Sequence, residues 1–243
     1  MELSNLNKKN QLKMKALTLF ILILTCLVAY FCKELDFFFA QLFFNDETFF
    51  LKDHLALKII FKSATLPGWI VGITCLFVLV FPFLSPSLKV IKRQILFLLL
   101  SLIIGPGLLV NVLFKDHWGR PRPVQTLDFK GKQEYVEFYK PQFSNPYPSK
   151  SFPSGHASMG FYFMSFIFLG RRVRNNQLKR LGYGLTLLLA PLLSATRIAQ
   201  GGHYFSDIWM SGVIVYFTCL LLDWYLLKNF HNSSSGSKSF SAW

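Results

Sequence analysis

The chain has 243 residues, of which 52% are hydrophobic and only 16% are charged. Soluble domains carry about 25% charged residues, so this composition excludes an ordinary soluble domain, and equally a disordered, collagen-like or disulfide-scaffold protein. Lysine and arginine outnumber aspartate and glutamate by 26 to 12, which gives a net charge of +14. In so apolar a chain this excess favours loops at anionic lipid headgroups over nucleic-acid binding. We therefore predict an integral membrane protein that binds no nucleic acid.

Six apolar segments are long enough, or nearly long enough, to cross a hydrocarbon core of about 30 Å as helices. In chain order they are residues 16–32, 67–84, 95–114, 157–169, 181–195 and 208–227. The fourth and fifth are short, but the polar motif residues beside them can extend each helix. Lysines precede the first segment, as in a signal peptide, yet no small-residue cleavage site follows it, so an uncleaved span is predicted. The expected fold class is an all-α, polytopic bundle of six transmembrane helices.

The distribution of lysine and arginine among the short loops predicts the orientation of these spans. The amino-terminal arm and the loops after the second and fourth spans are strongly basic, whereas the other three loops carry acidic residues as well. The basic regions, and with them both termini, are therefore expected in the cytoplasm. The predicted domains are a cytoplasmic arm at residues 1–15, a transmembrane domain at 16–227 and a flexible, serine-rich tail at 228–243. An aromatic run at residues 35–44, in the first outer loop, favours an amphipathic helix there.

The four cysteines lie within or at the edge of the apolar segments, at positions 26, 32, 75 and 219. None has a partner at metal-ligand spacing, so neither a zinc site nor a disulfide framework is predicted. The sequence shows no cluster of carboxylates that would suit magnesium either. We therefore expect chemistry without a metal ion or another cofactor.

Three polar clusters stand at the ends of predicted spans, and all three fall on the side opposite the basic loops. They comprise residues 115–123 after the third span, 153–156 before the fourth, and 196–207 between the last two. A helix bundle brings span ends at the same membrane surface close together, so we expect these distant stretches to meet in one pocket. Arg120, within the first cluster, is expected to be a solvated loop charge rather than an additional phosphate contact.

The residue types in these clusters are those that bind phosphate. Lys115, Arg122 and Arg197 supply three cations, and an arginine can bind phosphoryl oxygens through two parallel hydrogen bonds. Ser154 and Gly155 lead into an apolar helix, where backbone N–H groups and a hydroxyl can face an anion. Glycine also allows the backbone to approach the phosphoryl oxygens closely. Together the five residues predict a site for a phosphoryl group.

Two histidines complete the predicted chemistry. His203 and Asp207 are one helical turn apart, which places the carboxylate beside the imidazole. A carboxylate there fixes the tautomer of the ring and leaves its other nitrogen free to attack phosphorus. His156 then has the remaining role, as proton donor to the leaving oxygen and later as base for water. The cations would stabilise the charge of the transferring group.

These clusters resemble the three signature motifs of the type 2 phosphatidic acid phosphatase (PAP2) superfamily. The matching residues are Lys115-x6-Arg122-Pro123, Pro153-Ser154-Gly155-His156 and Thr196-Arg197-x5-His203-x3-Asp207, with threonine at 196 where the family usually has serine. The resemblance implies a six-helix bundle whose active site faces the periplasm or lumen, with a phosphohistidine intermediate on His203. It also implies that Asp207 is the partner of that nucleophile and that His156 is the acid and base. The phosphate ligands it implies are Lys115, Arg122, Ser154, Gly155 and Arg197.

A narrower likeness concerns the substrate. Residues 104–123, 157–161 and 200–203 are similar to those of bacterial lipid A phosphatases, especially the 4′-phosphatase group of Gram-negative inner membranes. This resemblance implies a multi-pass inner-membrane protein that hydrolyses a phosphomonoester of lipid A. The 4′-phosphate is favoured over the 1-phosphate.

Several alternatives share some of these features. The same mechanism would serve phosphatidylglycerophosphate, phosphatidic acid or undecaprenyl diphosphate, because the loops that decide headgroup size cannot be interpreted from the sequence. A phosphotransferase would share every motif and pass the phosphoryl group to an acceptor other than water. A transporter that only binds phospholipid would need the cations but not the histidine pair, which counts against it. The expected partner is in every case a membrane lipid, and no protein partner is predicted.

Overall fold

The chain is mainly helical in the structure, a computed structural model that describes residues 2–81, 86–143 and 149–227. Side chains are described from residue 12 onwards in the first stretch and from residue 91 onwards in the second. Within these ranges no β-strand forms, so the predicted all-α class is confirmed. The predicted flexible tail at residues 228–243 lies outside the described residues.

The described residues form ten α-helices, some of them continued by turns of other helical types. In chain order they are α1 (Glu2–Tyr30), α2 (Cys32–Gln41), α3 (Leu55–Ser63), α4 (Leu66–Val80), α5 (Pro86–Leu102), α6 (Lys115–His117), α7 (Gly155–Phe161), α8 (Met164–Arg172), α9 (Asn176–Ala199) and α10 (Phe205–Leu222). Wide π-helical turns, Ile103–Phe114, join α5 to α6, and further ones, Asp223–Leu227, continue α10. Two 3-10 turns, Pro123–Gln125 and Leu127–Phe129, lie between α6 and α7.

Five stretches of the described helices are long and apolar enough to cross a membrane, namely Leu12–Tyr30, Leu55–Val80, Ile91–His117, Asn176–Ala199 and Phe205–Leu227. They agree with the first, second, third, fifth and sixth predicted spans. The fourth, residues 157–169, comprises two shorter helices, α7 and α8, which meet at Tyr162 and Phe163. The N–H groups of Ser165 and Phe166 bond there to carbonyls three residues back, so the helix tightens. The fourth predicted span, and with it the total of six, therefore stays a prediction.

Helix α10 lies at the centre of the bundle, whereas α1 lies at its edge. In the apolar window of the α10 span 50% of the residues are buried, against 6% for α1. Val215 and Cys219 of α10 pack with Phe97 of α5 and Leu169 of α8 in one apolar core. Since lipid tails are as apolar as leucine, a membrane-spanning helix at the edge can expose its apolar side chains to them. The central position of α10 places both of its ends among several other helices.

The third predicted span widens into π-helical turns around Pro106, which has no backbone N–H to donate. Gly105 lies against Thr218 of α10, so the glycine next to this proline marks a close helix contact. The side-chain amide of Asn111 donates to the carbonyl of Pro106 at 2.7 Å. This polar side chain is thus satisfied within its own segment.

The predicted helix of the first outer loop is present as α2. Its buried residues, Cys32, Asp36 and Ala40, are each one helical turn apart and form a single stripe. Asp36 reaches the start of α10, where both of its oxygens accept hydrogen bonds from Ser206. Helix α2 thus brings a buried carboxylate to this end of the bundle.

An arginine–aspartate pair fixes the opposite end of α10. Asp223, which follows α10, accepts two parallel hydrogen bonds from Arg172 of α8, at 2.6 and 2.7 Å. Such bidentate pairs combine charge attraction with a defined geometry. The pair therefore anchors the end of α10 that lies away from the polar clusters.

Candidate functional site

The three polar clusters meet at the amino-terminal end of α10. The backbone N–H of Val124, beside the first cluster, donates to the carbonyl of Gly201 in the third at 3.2 Å. The N–H of Ser154, in the second cluster, donates to the carbonyl of Asp207 at 3.3 Å. Hydrogen bonds between stretches that are distant in the sequence thus bring the three clusters together, and we call the region between them the pocket.

The cations predicted to bind phosphate surround this pocket. Lys115, Arg122 and Arg197 lie close enough for their charges to repel one another. Burial lowers the pKa of Arg122, although a guanidinium remains charged at neutral pH. A Cβ atom at position 155 would collide with the side-chain oxygen of Asn111 and lie 3.2 Å from Nζ of Lys115. Gly155 therefore leaves room for the ammonium group, and any larger residue would crowd it.

Ser154 precedes α7 and acts as its N-cap. Its hydroxyl oxygen accepts a hydrogen bond from the backbone N–H of Ala157, and the side chain is fully buried. Its carbonyl accepts a hydrogen bond of 2.9 Å from the hydroxyl of Ser211 in α10. The sequence predicts that Ser154 faces an anion. In the structure its hydroxyl oxygen caps the helix, which fixes the turn that carries Gly155 and His156.

Arg197, in the last turn of α9, has only 7% of its surface exposed. Its Nη1 donates to Gln200 at 2.7 Å, and the guanidinium lies 4.7 Å from the centre of the Phe61 ring. Its Nε has no hydrogen-bond partner among the described residues. A buried donor without a partner costs about 1–3 kcal/mol, so this face of Arg197 fits an anionic ligand.

His203 lies in the turn between α9 and α10 and is 1% exposed. Its Nδ1 stands 3.7 Å from Oδ2 of Asp207 and lacks a hydrogen-bond partner in the described part of the chain. The separation exceeds a hydrogen bond, but the one-turn spacing brings the two groups together as the sequence predicts. Burial lowers the pKa of His203 to about 3, with Asp207 opposing the shift and Arg197 adding to it. The ring is therefore neutral at pH 7, as a nucleophile requires.

His156, at the start of α7, lies against Phe61 of α3. The two rings stack with their centres 4.2 Å apart and at an angle of 17°, and the imidazole also bonds to the backbone of Phe61. Burial, followed by repulsion from Arg197 and Lys115, lowers the pKa of His156 to about 4. Sequence reasoning missed Phe61, because it lies in an ordinary apolar run far from the three clusters.

Asp207 is fully buried at the start of α10 and accepts hydrogen bonds on both oxygens. Oδ2 accepts from the hydroxyl of Ser151 at 2.6 Å and from the backbone N–H of Tyr204 at 2.9 Å. Oδ1 accepts from Nη1 of Arg120 at 2.5 Å. The carboxylate thus caps the helix and is held beside His203. Ser151, a second residue that sequence reasoning missed, lies just before the second cluster.

The expectation that Arg120 is a solvated loop charge is wrong. Its side chain is fully buried, with 0% exposed, and is paired with two carboxylates, Asp36 and Asp207. An unpaired buried charge is strongly destabilising, so such a position requires partners of this kind. Burial raises the pKa of Asp36, and the charge of Arg120 acts against that shift. The one signal in the sequence is Asp36 in an aromatic run, and by itself it does not identify Arg120 as the partner.

The pocket is lined by groups that suit an anion. No set of three or more His, Cys, Asp or Glu side chains in the described ranges is arranged to hold a metal ion. Asp36 and Asp207, which are buried beside the pocket, both accept hydrogen bonds from Arg120. Three cations can hold a phosphoryl group there next to a neutral imidazole, which is the arrangement that phosphoryl transfer needs.

Three bacterial proteins named lipid A 4′-phosphatase are similar in sequence to this chain. The protein of Francisella tularensis subsp. novicida is 38% identical over 128 residues, which are 51% of this chain and 54% of that protein. The protein of Rhizobium etli is 39% identical over 129 residues, which are 50% of this chain and 47% of that protein. The protein of Rhizobium leguminosarum is 37% identical over 129 residues, which are 50% of this chain and 52% of that protein. The chain spans about half the length of these relatives.

The family model that matches the chain is that of the PAP2 superfamily. It covers residues 94–231, which is more than half of the chain and includes all three polar clusters. No solved structure matches the chain. The resemblance carried by the three motifs is thereby confirmed, and the protein belongs to the PAP2 superfamily.

Proposed function

We propose that the protein is a membrane phosphatase that hydrolyses a phosphomonoester of lipid A through a phosphohistidine on His203. The observation that carries the proposal is the pocket, in which two imidazoles and three cations meet in a chain of the PAP2 superfamily. The substrate is supported by the three similar proteins named lipid A 4′-phosphatase. We therefore favour the 4′-phosphate as the group removed.

The first step transfers the phosphoryl group to the protein. The free ring nitrogen of His203 attacks phosphorus, and the bond between phosphorus and the lipid oxygen breaks. Asp207 stands beside the other nitrogen, where it orients the ring and balances the positive charge that develops on it. Protonated His156 gives its proton to the departing lipid oxygen. The three cations of the pocket stabilise the phosphoryl oxygens.

The second step hydrolyses the phosphohistidine. Neutral His156 takes a proton from a water molecule as that water attacks phosphorus, and the phosphorus–nitrogen bond breaks. Inorganic phosphate leaves, His203 is restored, and His156 has regained the proton that it gave away. Because a bound phosphoryl group offsets the charges of Lys115 and Arg197, it favours the protonated form that His156 needs in the first step.

The proposed location of the pocket is the periplasmic face of a bacterial inner membrane, with both termini in the cytoplasm. The basic loops after the second and fourth predicted spans support this orientation. The proposed domains are an arm at residues 1–15, a transmembrane domain at 16–227 and a tail at 228–243. The domain has six spans if α7 and α8 together form the fourth crossing.

The purified protein, incubated with lipid A that carries a phosphate at each end of its disaccharide, tests the proposal. Mass spectrometry of the lipid should show the loss of the 4′-phosphate, with an equal amount of inorganic phosphate released. His203→Ala, purified in parallel, should release none.

Other outcomes would point to the alternatives. Hydrolysis of phosphatidic acid, phosphatidylglycerophosphate or undecaprenyl diphosphate, with lipid A unchanged, would contradict the substrate and keep the mechanism. Transfer of labelled phosphate to a second lipid instead of water would identify a phosphotransferase. Binding of lipid A without release of phosphate would identify a transporter.

A further inference from the structure

Asp36, Arg120 and Ser206 form a buried polar network, and none of the three is a specified residue of the motif patterns. We propose that Asp36 and Arg120 are positioning residues, which hold the Asp207 carboxylate in the orientation that aligns His203. The proposal rests on the proposed function, since it assigns both residues to the reaction of that same site. Asp36 stands outside residues 94–231, the region that matches the family model, so the amino-terminal part of the chain takes part in the reaction.

The guanidinium of Arg120 has a partner for each of its three nitrogens. Nε donates to the carbonyl of Val136 at 2.8 Å, Nη1 to Asp207 at 2.5 Å and Nη2 to Asp36 at 2.6 Å. The ring of Tyr204 lies 4.8 Å from the central carbon of the group. A planar cation that is bound along its edges and packed on its face is held in one orientation.

The two oxygens of Asp207 have different partners. Oδ1 accepts the hydrogen bond from Arg120. Oδ2 accepts those from Ser151 and Tyr204 and faces Nδ1 of His203 at 3.7 Å. A carboxylate turned out of this plane would deprive the buried guanidinium of its ionic partner at Nη1, which is strongly unfavourable. Arg120 therefore fixes the plane in which the carboxylate faces the imidazole.

Asp36 in turn fixes Arg120. Its Oδ1 accepts from the backbone N–H of Ser206 at 2.8 Å, and its Oδ2 from the hydroxyls of Ser206 and Tyr135 at 2.8 and 2.9 Å. Ser206 directly precedes Asp207, so the hydrogen bonds close a ring through α2, Arg120 and the first turn of α10. Asp36, Arg120 and Ser206 are all fully buried, and electrostatic interactions are stronger where water is excluded. A change at Asp36 therefore reaches Asp207 through only two hydrogen bonds.

The pair at the other end of α10 provides a matched control. Arg172 bonds to Asp223 through Nε and Nη2, at 2.6 and 2.7 Å, which are distances like those in the Arg120 network. It joins the same central helix to its surroundings, but at the end away from His203. A pair with a purely structural role should influence stability and not the rate of the reaction.

The test compares Asp36→Asn with Asp223→Asn in phosphate release by the purified full-length protein from lipid A in detergent micelles. For Asp36→Asn we expect kcat to fall about 10- to 100-fold and KM to stay within about twofold, because the cations that bind phosphate are unchanged. Asp223→Asn should leave both constants within about twofold. Thermal unfolding, measured on the same samples, corrects for any loss of folded protein. A wild-type kcat in folded Asp36→Asn overturns the proposal.

A double variant separates positioning from an independent effect. In an Asp207→Asn background, Asp36→Asn should lower kcat by less than about twofold, because its influence passes through Asp207. If the kcat losses of the two single variants instead multiply in the double variant, Asp36 acts by a route that does not pass through Asp207. If Asp36→Asn fails to fold, Tyr135→Phe replaces it in the test. This variant removes a hydrogen bond to Asp36 and keeps both carboxylates and Arg120. It should lower kcat about threefold, and an unchanged kcat would overturn the proposal equally.

The wild-type protein distinguishes failure of this inference from failure of the proposed function. An active wild type together with a fully active Asp36→Asn overturns the positioning role alone. A wild type that releases no phosphate from any phospholipid overturns the proposed function, and the positioning role with it.

Discussion

His203 and His156 lie in the same pocket, but different surroundings hold them. His203 faces Asp207, whose carboxylate belongs to the buried network of Arg120. His156 stacks on the aromatic ring of Phe61 and bonds to its backbone. One imidazole is thus placed by charged and polar groups at the start of the central helix, and the other mainly by an aromatic contact from α3.

The contrast agrees with the roles proposed for the two rings. A nucleophile benefits from a fixed tautomer and from a carboxylate that balances the charge of the phosphohistidine. An acid and base must change its protonation state twice in each turnover, so its pKa has to respond to the bound phosphate. Nearby cations that the phosphate offsets provide that response at His156.

Loss of the proposed nucleophile, His203, should have the largest effect. We expect His203→Ala to reduce phosphate release about 10⁴-fold or more, since the cations alone bind phosphate but cannot accept the phosphoryl group. Colorimetric phosphate release by the purified variant measures this. His117→Ala is the matched control, because His117 belongs to the first cluster but is exposed and bonds to Leu113 of its own helix. Comparable losses in both variants would argue against a special role for His203.

Loss of the proposed acid and base, His156, should have a smaller effect, which should depend on the leaving group. His156→Ala should lower kcat for the lipid substrate about 10²- to 10⁴-fold. With p-nitrophenyl phosphate the departing oxygen needs no proton. The variant should therefore still transfer the phosphoryl group to His203 at a rate near that of the wild type, whereas hydrolysis of the phosphohistidine should be slow. Stopped-flow absorbance should then show a burst of p-nitrophenol before slow turnover. If the rates of both steps with p-nitrophenyl phosphate fall by the same factor, His156 is not the proton donor.

The stack on Phe61 should matter less than either histidine. Phe61→Ala removes the ring that contacts both His156 and Arg197, and kcat/KM should fall about 10-fold. Phe61→Tyr keeps an aromatic ring and should stay within about threefold of the wild type. Phe38→Ala, at an exposed phenylalanine of α2, is the control for a general loss of aromatic surface. Wild-type kinetics in Phe61→Ala would show that the stack does not position His156.

The smallest expected effect concerns protonation and requires no turnover. The pKa of His156 should rise from about 4 towards its ordinary value when inorganic phosphate binds, because the anion offsets the repulsion from Arg197 and Lys115. Since the group is a base, a higher pKa means that more of it is protonated at a given pH. NMR titration of histidine-labelled protein, with and without phosphate, measures the change. Identical titration curves would refute this coupling.

Local spacing made part of the molecule predictable. His203 and Asp207 share a helical turn, and Ser154 caps the helix that carries His156, so both placements follow from helix geometry. The all-α class and the five long spans follow from the length of the apolar runs. The break at Tyr162 did not, because residues 157–169 have the composition of a continuous helix.

Contacts between distant segments could not be predicted in this way. Asp36 pairs with Arg120 across 84 positions, and Phe61 reaches His156 only because α3 folds over the pocket. A carboxylate in an aromatic run is equally compatible with a helix at the membrane surface. Arg120 beside Arg122 likewise has the pattern of an ordinary basic loop. Only the fold shows that one of the two arginines faces a pair of carboxylates.

The most direct test of the account is to trap the phosphorylated protein. Wild-type protein and lipid A labelled with radioactive phosphate, mixed and quenched in alkali within milliseconds, should yield a phosphohistidine that mass spectrometry assigns to His203. With labelled p-nitrophenyl phosphate, whose departing oxygen needs no proton, the label should accumulate in His156→Ala, where hydrolysis is slow, and be absent from His203→Ala. Label on another residue, or release of p-nitrophenol by His156→Ala without any labelled protein, would contradict a phosphohistidine on His203.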